Sequence, residues 1–158
     1  MDKRSTNGFT LIELIIAIAI IGILAVTMLP KWTASSLTLE FQARRMLDDI
    51  RYAQALSMVS GQRYRWVATS STTYQITNEA GSAILFPSGS NQIALTDGAN
   101  FSSNLPNNLL AFDSQGTPYV NTAYPGTTLT GTAIISLIAS GVTRSIQISP
   151  QTGYGILS

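Results

Sequence analysis

The sequence predicts an α+β chain: a long N-terminal helix, apolar in its first half and amphipathic in its second, packed on an antiparallel β-sheet head. Three observations carry that expectation. From Phe9 to Leu29 only one residue, Glu13, is charged. Leu39, Ala43, Met46, Leu47, Ile50 and Ala53 then recur at helical spacing and make one apolar stripe. Beyond Gly61 the chain breaks into short alternating segments separated by Ser, Thr, Asn and Gly.

The apolar run is 21 residues long; as a helix it reaches roughly 31 Å, about the thickness of a hydrocarbon core. Lys3 and Arg4 precede it, so residues 1–8 are expected on the cytoplasmic side and everything after Pro30 outside. Lys31 and Trp32 then fall where a snorkelling amine and an indole suit the far interface. Pro30 removes a backbone donor and clashes with the carbonyl of Val26, and Gly22 adds a second soft point, so both are candidate kinks. The segmentation that follows is a leader over 1–8, a transmembrane helix over 9–30, an amphipathic helix over 31–61 and a β-rich head over 62–158.

In the second helix Glu40–Arg44, Arg44–Asp48 and Arg45–Asp49 are opposite charges four residues apart, a solvated face. Asp48-Asp49 reads as salt-bridged surface rather than a metal site, and Gly61 as the helix stop. In the head, "RYRWVAT" and "TYQIT" form a hairpin around "SSTT", while "SAILF" and "QIAL" are shorter strand candidates. "NNLLAFDSQGTPYV" places a turn at Asp113 to Gly116. "TAIISLIASGVTRSIQIS" is a hairpin turning at Ser140-Gly141, and "QTGYGILS" adds a last short strand. Residues 99–108 and 121–131 read as loops.

The composition excludes several function classes. The chain has 158 residues, no Cys and no His, and a net charge of +1. There is thus no disulfide or thiolate site, no imidazole base or metal ligand, and no strong overall field for nucleic acid or anionic lipid. The only lysines, Lys3 and Lys31, flank the apolar run, which leaves no Ser-Lys pair for covalent catalysis. Asp113 reads as a turn residue. No catalytic residue, cofactor or metal ligand is assigned, and an enzyme is not expected.

Glu13 is the anomaly. A secretory signal would carry its small-residue cleavage site after the apolar run, yet Gly8 stands before it. A lipoprotein signal needs a cysteine. A plain signal anchor does not explain an ionised carboxylate that costs about 2.5 kcal/mol or more inside a membrane helix. A cut between Gly8 and Phe9 would supply a partner: a new α-amino group four residues from Glu13, on the same helix face or offered to the carboxylate of a neighbouring copy.

Gly8-Phe9-Thr10-Leu11-Ile12-Glu13 followed by the apolar run resembles the leader of type IV prepilins. The resemblance implies cleavage after Gly8 by a prepilin peptidase, N-methylation of Phe9, Glu13 as the registry residue of assembly, and Pro30 as the family's helix-kinking proline. Further along, "DDIRYAQALSMVSGQ", "AFDSQGTP" and "RSIQISPQTGYG" are similar to the GspH/FimT-type minor pilins and pseudopilins, and "IRYAQALSM" to the minor pilin of mannose-sensitive haemagglutinin-type pili. That implies a head of two antiparallel β-sheets and a structural subunit of a type IV pilus or type II secretion pseudopilus, held in the bacterial inner membrane with its head in the periplasm. Its partners would be the peptidase, other pilins or pseudopilins and an inner-membrane assembly platform.

Two alternatives remain at this point. One is a tethered periplasmic binding module. The other is a DNA-uptake pilin, for which Arg63, Arg65 and Arg144 are the candidate contacts. Arg63 and Arg65 alternate with Tyr64 and Trp66, so a strand would set the two arginines on one face. Two or three exposed arginines would hold duplex weakly, and only at low salt.

Overall fold

The computed structural model describes residues 10–28, 34–123 and 126–158. The chain divides into two compact units, Met1–Trp32 and Thr33–Ser158.

The first unit contains α1 (Leu11–Met28). It runs through Gly22 without interruption, and a Cβ there would meet nothing within 4 Å. Pro30, like Gly8, Phe9, Lys31 and Trp32, lies outside the described residues. Among the described residues no helix is long and apolar enough to cross a membrane. The 18 residues of α1 amount to about 27 Å of rise, slightly short of the hydrocarbon thickness.

The second unit starts with α2 (Ala34–Ser60). Its stripe is buried as expected: Leu39, Ala43, Met46, Leu47, Ile50 and Ala53 are at most 5% exposed. Gly61 ends the helix in the left-handed conformation (φ 70) and its amide donates to the Ser57 carbonyl at 3.0 Å. The buried Ser57 hydroxyl donates to the Ala53 carbonyl and accepts the Tyr64 amide, each at 3.0 Å. That fixes where the chain leaves the helix and enters the first strand.

Among the described residues nine strands follow: β1 (Tyr64–Ala68), β2 (Thr73–Thr77), β3 (Ile93–Ala94), β4 (Asn100–Ser103), β5 (Leu109–Phe112), β6 (Pro118–Tyr119), β7 (Ala133–Ala139), β8 (Val142–Ile148) and β9 (Gly155–Leu157). They form two antiparallel sheets, ordered β3-β2-β1-β5-β6 and β4-β7-β8-β9. Period-2 alternation sets the β7 and β8 faces. Ala133, Ile135, Leu137, Ile146 and Ile148 are buried, while Ile134 and Ile138 are exposed. Between the sheets Trp66, Tyr74 and Phe101 meet as a tilted and edge-on aromatic cluster, with centroids 5.7 to 6.4 Å apart.

The predicted hairpins hold. β1 pairs with β2, and β7 with β8 through Ser140-Gly141, both at positive φ (49 and 78) as a type I′ turn requires. Three other expectations change. "SAILF" is not a strand: it contributes one bridge, Thr77 to Ala83, because the Asn78–Ser82 turn brings the chain back only briefly. Residues 99–108, read as a loop, contain β4. Its pattern is weak because only Phe101 of "NFSS" faces the core, and pairing with β7 makes it a strand. "QIAL" shrinks to β3 for a similar reason, since only Ile93 is buried and β2 is its sole neighbour in the sheet.

Gln54 ties α2 to two turns. Its Nε2 donates to the Gly116 carbonyl at 2.9 Å and to the Thr152 carbonyl at 2.8 Å. Gly153 sits under this clasp at φ 65, where a Cβ would stand 2.6 Å from Nε2 of Gln54.

Candidate functional site

α1 starts in a way that a search for charged partners misses. The Glu13 carboxylate reaches back to the Thr10 backbone amide (3.1 Å) and hydroxyl (2.9 Å), and the Thr10 hydroxyl accepts the Glu13 amide at 3.3 Å. Thr10-x-x-Glu13 is a capping box, readable from the sequence as a Thr followed three residues later by Glu before an apolar run. It satisfies helix-start donors that would otherwise lack partners. Among the described residues the carboxylate is therefore used locally, by Thr10. Beyond it the apolar side chains point in every direction: Leu11, Ile12, Leu14, Ile15, Ile16, Ile18, Ile20 and Ile21 are all more than half exposed. A helix apolar all round needs lipid or other helices around it.

On α2 one of the three predicted pairs forms. Arg44 reaches Glu40 at 2.7 Å. Asp48 instead takes Arg51 at 3.3 Å, and Asp49 accepts the Tyr74 hydroxyl at 2.7 Å. Burial pushes the Asp49 carboxyl above its ordinary range, partly offset by the Tyr74 bond and the nearby Arg45. Burial, followed by the Asp49 charge, pushes the Tyr74 phenol up.

The candidate DNA contacts are not an exposed basic face. Arg63 is 5% and Arg65 6% exposed. Arg63 lies 4.2 Å over the Tyr119 ring and donates to the Ala123 carbonyl at 2.6 Å, and Arg65 donates to the Glu79 carbonyl at 2.9 Å. The two arginines do share a face, but loops cover that face and a loop carbonyl takes a guanidinium N–H of each. Arg144 Nε donates to Glu40 at 2.6 Å, which holds the Glu40 carboxyl below its ordinary range. Asp113 is the turn residue expected. Its Oδ1 accepts the Gln115 and Thr117 amides at 2.9 Å, and its Oδ2 the Tyr119 hydroxyl at 3.0 Å. Among the described residues no group of acidic side chains could hold a metal ion.

Residues 3–29 match the family described as the prokaryotic N-terminal methylation motif. The head answers the second half of the question. The minor pilin FimU of Pseudomonas aeruginosa superposes with a TM-score of 0.56 at 16% identity, over 78% of this chain and 90% of that one. The minor pseudopilin EpsH of the Vibrio cholerae type 2 secretion system does so at 0.56 and 15%, over 75% and 94%. The chain has the fold of these two proteins.

Two fimbrial proteins of Pseudomonas aeruginosa are each 33% identical over 97 residues, 60% of this chain. The chain spans 62% of the length of these curated relatives. At 15 to 16% identity the solved structures establish a shared fold, a helix carrying two antiparallel sheets.

Proposed function

We propose that the protein is a structural minor pilin or pseudopilin of a type IV pilus or type II secretion system. It is cut between Gly8 and Phe9, N-methylated at Phe9 and assembled through its N-terminal helix. The observation that carries the reading is the methylation motif, matched over residues 3–29 and enclosing a helix with large apolar side chains exposed on every face. Such a segment anchors in lipid until neighbouring helices replace the lipid around it. The net gain is small, because lipid is also apolar, so specific polar contacts set the register. The unit is held in the inner membrane with its head outside, where the peptidase, the assembly platform and other pilins are its partners.

In this reading Glu13 acts twice. In the precursor it caps α1 through Thr10. Cleavage creates an α-amino group on Phe9, next to the cap, and the carboxylate then neutralises that amine or the one on an adjacent subunit. The two roles separate by substitution. Glu13→Gln keeps a side chain able to cap but removes the charge, whereas Glu13→Ala removes both. Both variants should insert and be processed, and both should be absent from sheared fibres. Normal incorporation of the glutamine variant would reduce Glu13 to a helix cap. Mass spectrometry of the mature chain tests the processing itself: an intact N-terminus, or trimming beyond the apolar run, overturns the proposal.

A further inference from the structure

A cleft of about 410 Å³ lies between α2 and β9. Glu40, Arg44, Asp48, Arg51 and Arg144 line it around an apolar floor that includes Leu47 and Leu157. β9 is the outermost strand of its sheet. Ser145 and Ser158 exchange both backbone bonds, and the Ser149 amide donates to the Tyr154 carbonyl. By the alternation of an antiparallel ladder, residues 154, 156 and 158 therefore face β8, and Gly155 and Leu157 turn their backbone groups to the open side. Arg51 already occupies the Gly155 carbonyl at 2.9 Å. The Gly155 amide and both backbone groups of Leu157 are left as a strand edge beside the cleft.

The side-chain chemistry of the cleft is unbalanced. Both Glu40 oxygens are engaged, by Arg44 and by Arg144, and Asp48 takes Arg51. Three guanidiniums face two carboxylates. Arg44, Arg51 and Arg144 are 64%, 46% and 36% exposed, so their remaining N–H groups are within reach of a ligand. The cleft offers donors and asks for acceptors.

We propose that this cleft accepts an extended peptide segment carrying a carboxylate side chain. The segment adds to the edge of β9 through the backbone of Leu157 and sets its carboxylate on Arg44 and Arg51. Main-chain pairing supplies the docking and the guanidiniums the selectivity, as in strand addition generally. The site lies wholly in the head and does not depend on whether the leader is cut.

The test uses the full chain in detergent micelles, 15N-labelled, titrated with an alternating Thr-Glu-Val-Glu-Thr-Val peptide, with its Gln-for-Glu analogue and with its Lys-for-Glu analogue. Saturable shifts centred on Gly155, Leu157 and the Arg44 and Arg51 side chains are expected with the acidic peptide, with affinity about tenfold lower for the Gln analogue and none for the Lys analogue. Leu157→Pro removes the edge donor while leaving the β8 ladder intact and should abolish binding. Arg44→Glu, on the exposed helix face, should do so with an unchanged spectrum elsewhere, which guards against misfolding of the proline variant. No shift at millimolar acidic peptide, equal binding of all three peptides, or binding that survives Arg44→Glu overturns the proposal.

Discussion

Gly153→Ala is the sharpest test of how the head is held together. The residue lies at φ 65, and its new Cβ would stand 2.6 Å from Nε2 of Gln54, 2.8 Å from the Gly116 carbonyl oxygen and 2.9 Å from the Phe112 ring. Backbone strain at positive φ costs about 1–2 kcal/mol. Gln54 can move away, but only by giving up its bonds to Gly116 and Thr152, at about 1 kcal/mol each. The Gly116 carbonyl and the Phe112 ring cannot retreat so easily, since Phe112 is fully buried. The sum is about 3–5 kcal/mol, or a fall in Tm of about 10–15 °C for a unit of this size. Thermal unfolding of the full chain in detergent, followed by near-ultraviolet circular dichroism, reads it directly. Gln54→Ala alone should cost about 2 kcal/mol, and the double variant less than the two single costs together, because the Cβ then has nothing to meet at Nε2. A Tm drop of less than about 3 °C for Gly153→Ala, or strict additivity in the double variant, would refute the clasp.

Other outcomes follow from the charges and from the cap. Asp49 has a raised carboxyl, so its effect on stability is most favourable below the ordinary carboxylate range and is lost as pH rises through the higher folded value. Asp49→Asn keeps an acceptor for Tyr74 and should remove that pH dependence, gaining stability at pH 7 relative to the parent in urea titrations; an unchanged slope between pH 4 and pH 7 contradicts it. Glu40 is lowered by Arg144, and the sign reverses: its contribution is present above the ordinary range and lost as pH falls through the depressed value. Arg144→Met should cost about 0.5–1 kcal/mol at neutral pH and nothing in strong acid, the modest size reflecting partial exposure of the pair. Thr10→Ala should fray the first turn of α1 by about 1 kcal/mol, read as faster amide exchange at Ile12 and Glu13, while leaving cleavage intact.

Much of the molecule was legible in the residue order. The apolar run, its lone Glu13 and the stripe from Leu39 to Ala53 are local patterns, and helices are made of local bonds, so α1 and α2 could be read directly. The hairpins at Ser140-Gly141 and the turn at Asp113 to Gly116 carry their own turn chemistry and were equally readable. The Thr10–Glu13 capping box is equally local, a Thr three residues before a Glu, and it gives the carboxylate a neutral partner where charge counting looks only for a cation. β4 could not be read, because "NFSS" has a single inward side chain and becomes a strand only when β7 is beside it. Nor could the fate of Arg63 and Arg65. Sequence alternation placed them together on one face, but that face is buried because distant loops bring the Ala123 and Glu79 carbonyls onto them.

By itself the order of residues determined which segments are helical, where the main hairpins turn and where the N-terminal methylation motif carries its apolar helix, since each depends on neighbours within a few positions. Only the folded head decided which charges meet. Arg144 reaches Glu40 across 104 positions, Gln54 grips two turns, and Arg51 seals one carbonyl of β9 while leaving the rest of that edge open. Contacts at such separations depend on the packing of whole elements, and no local pattern encodes them.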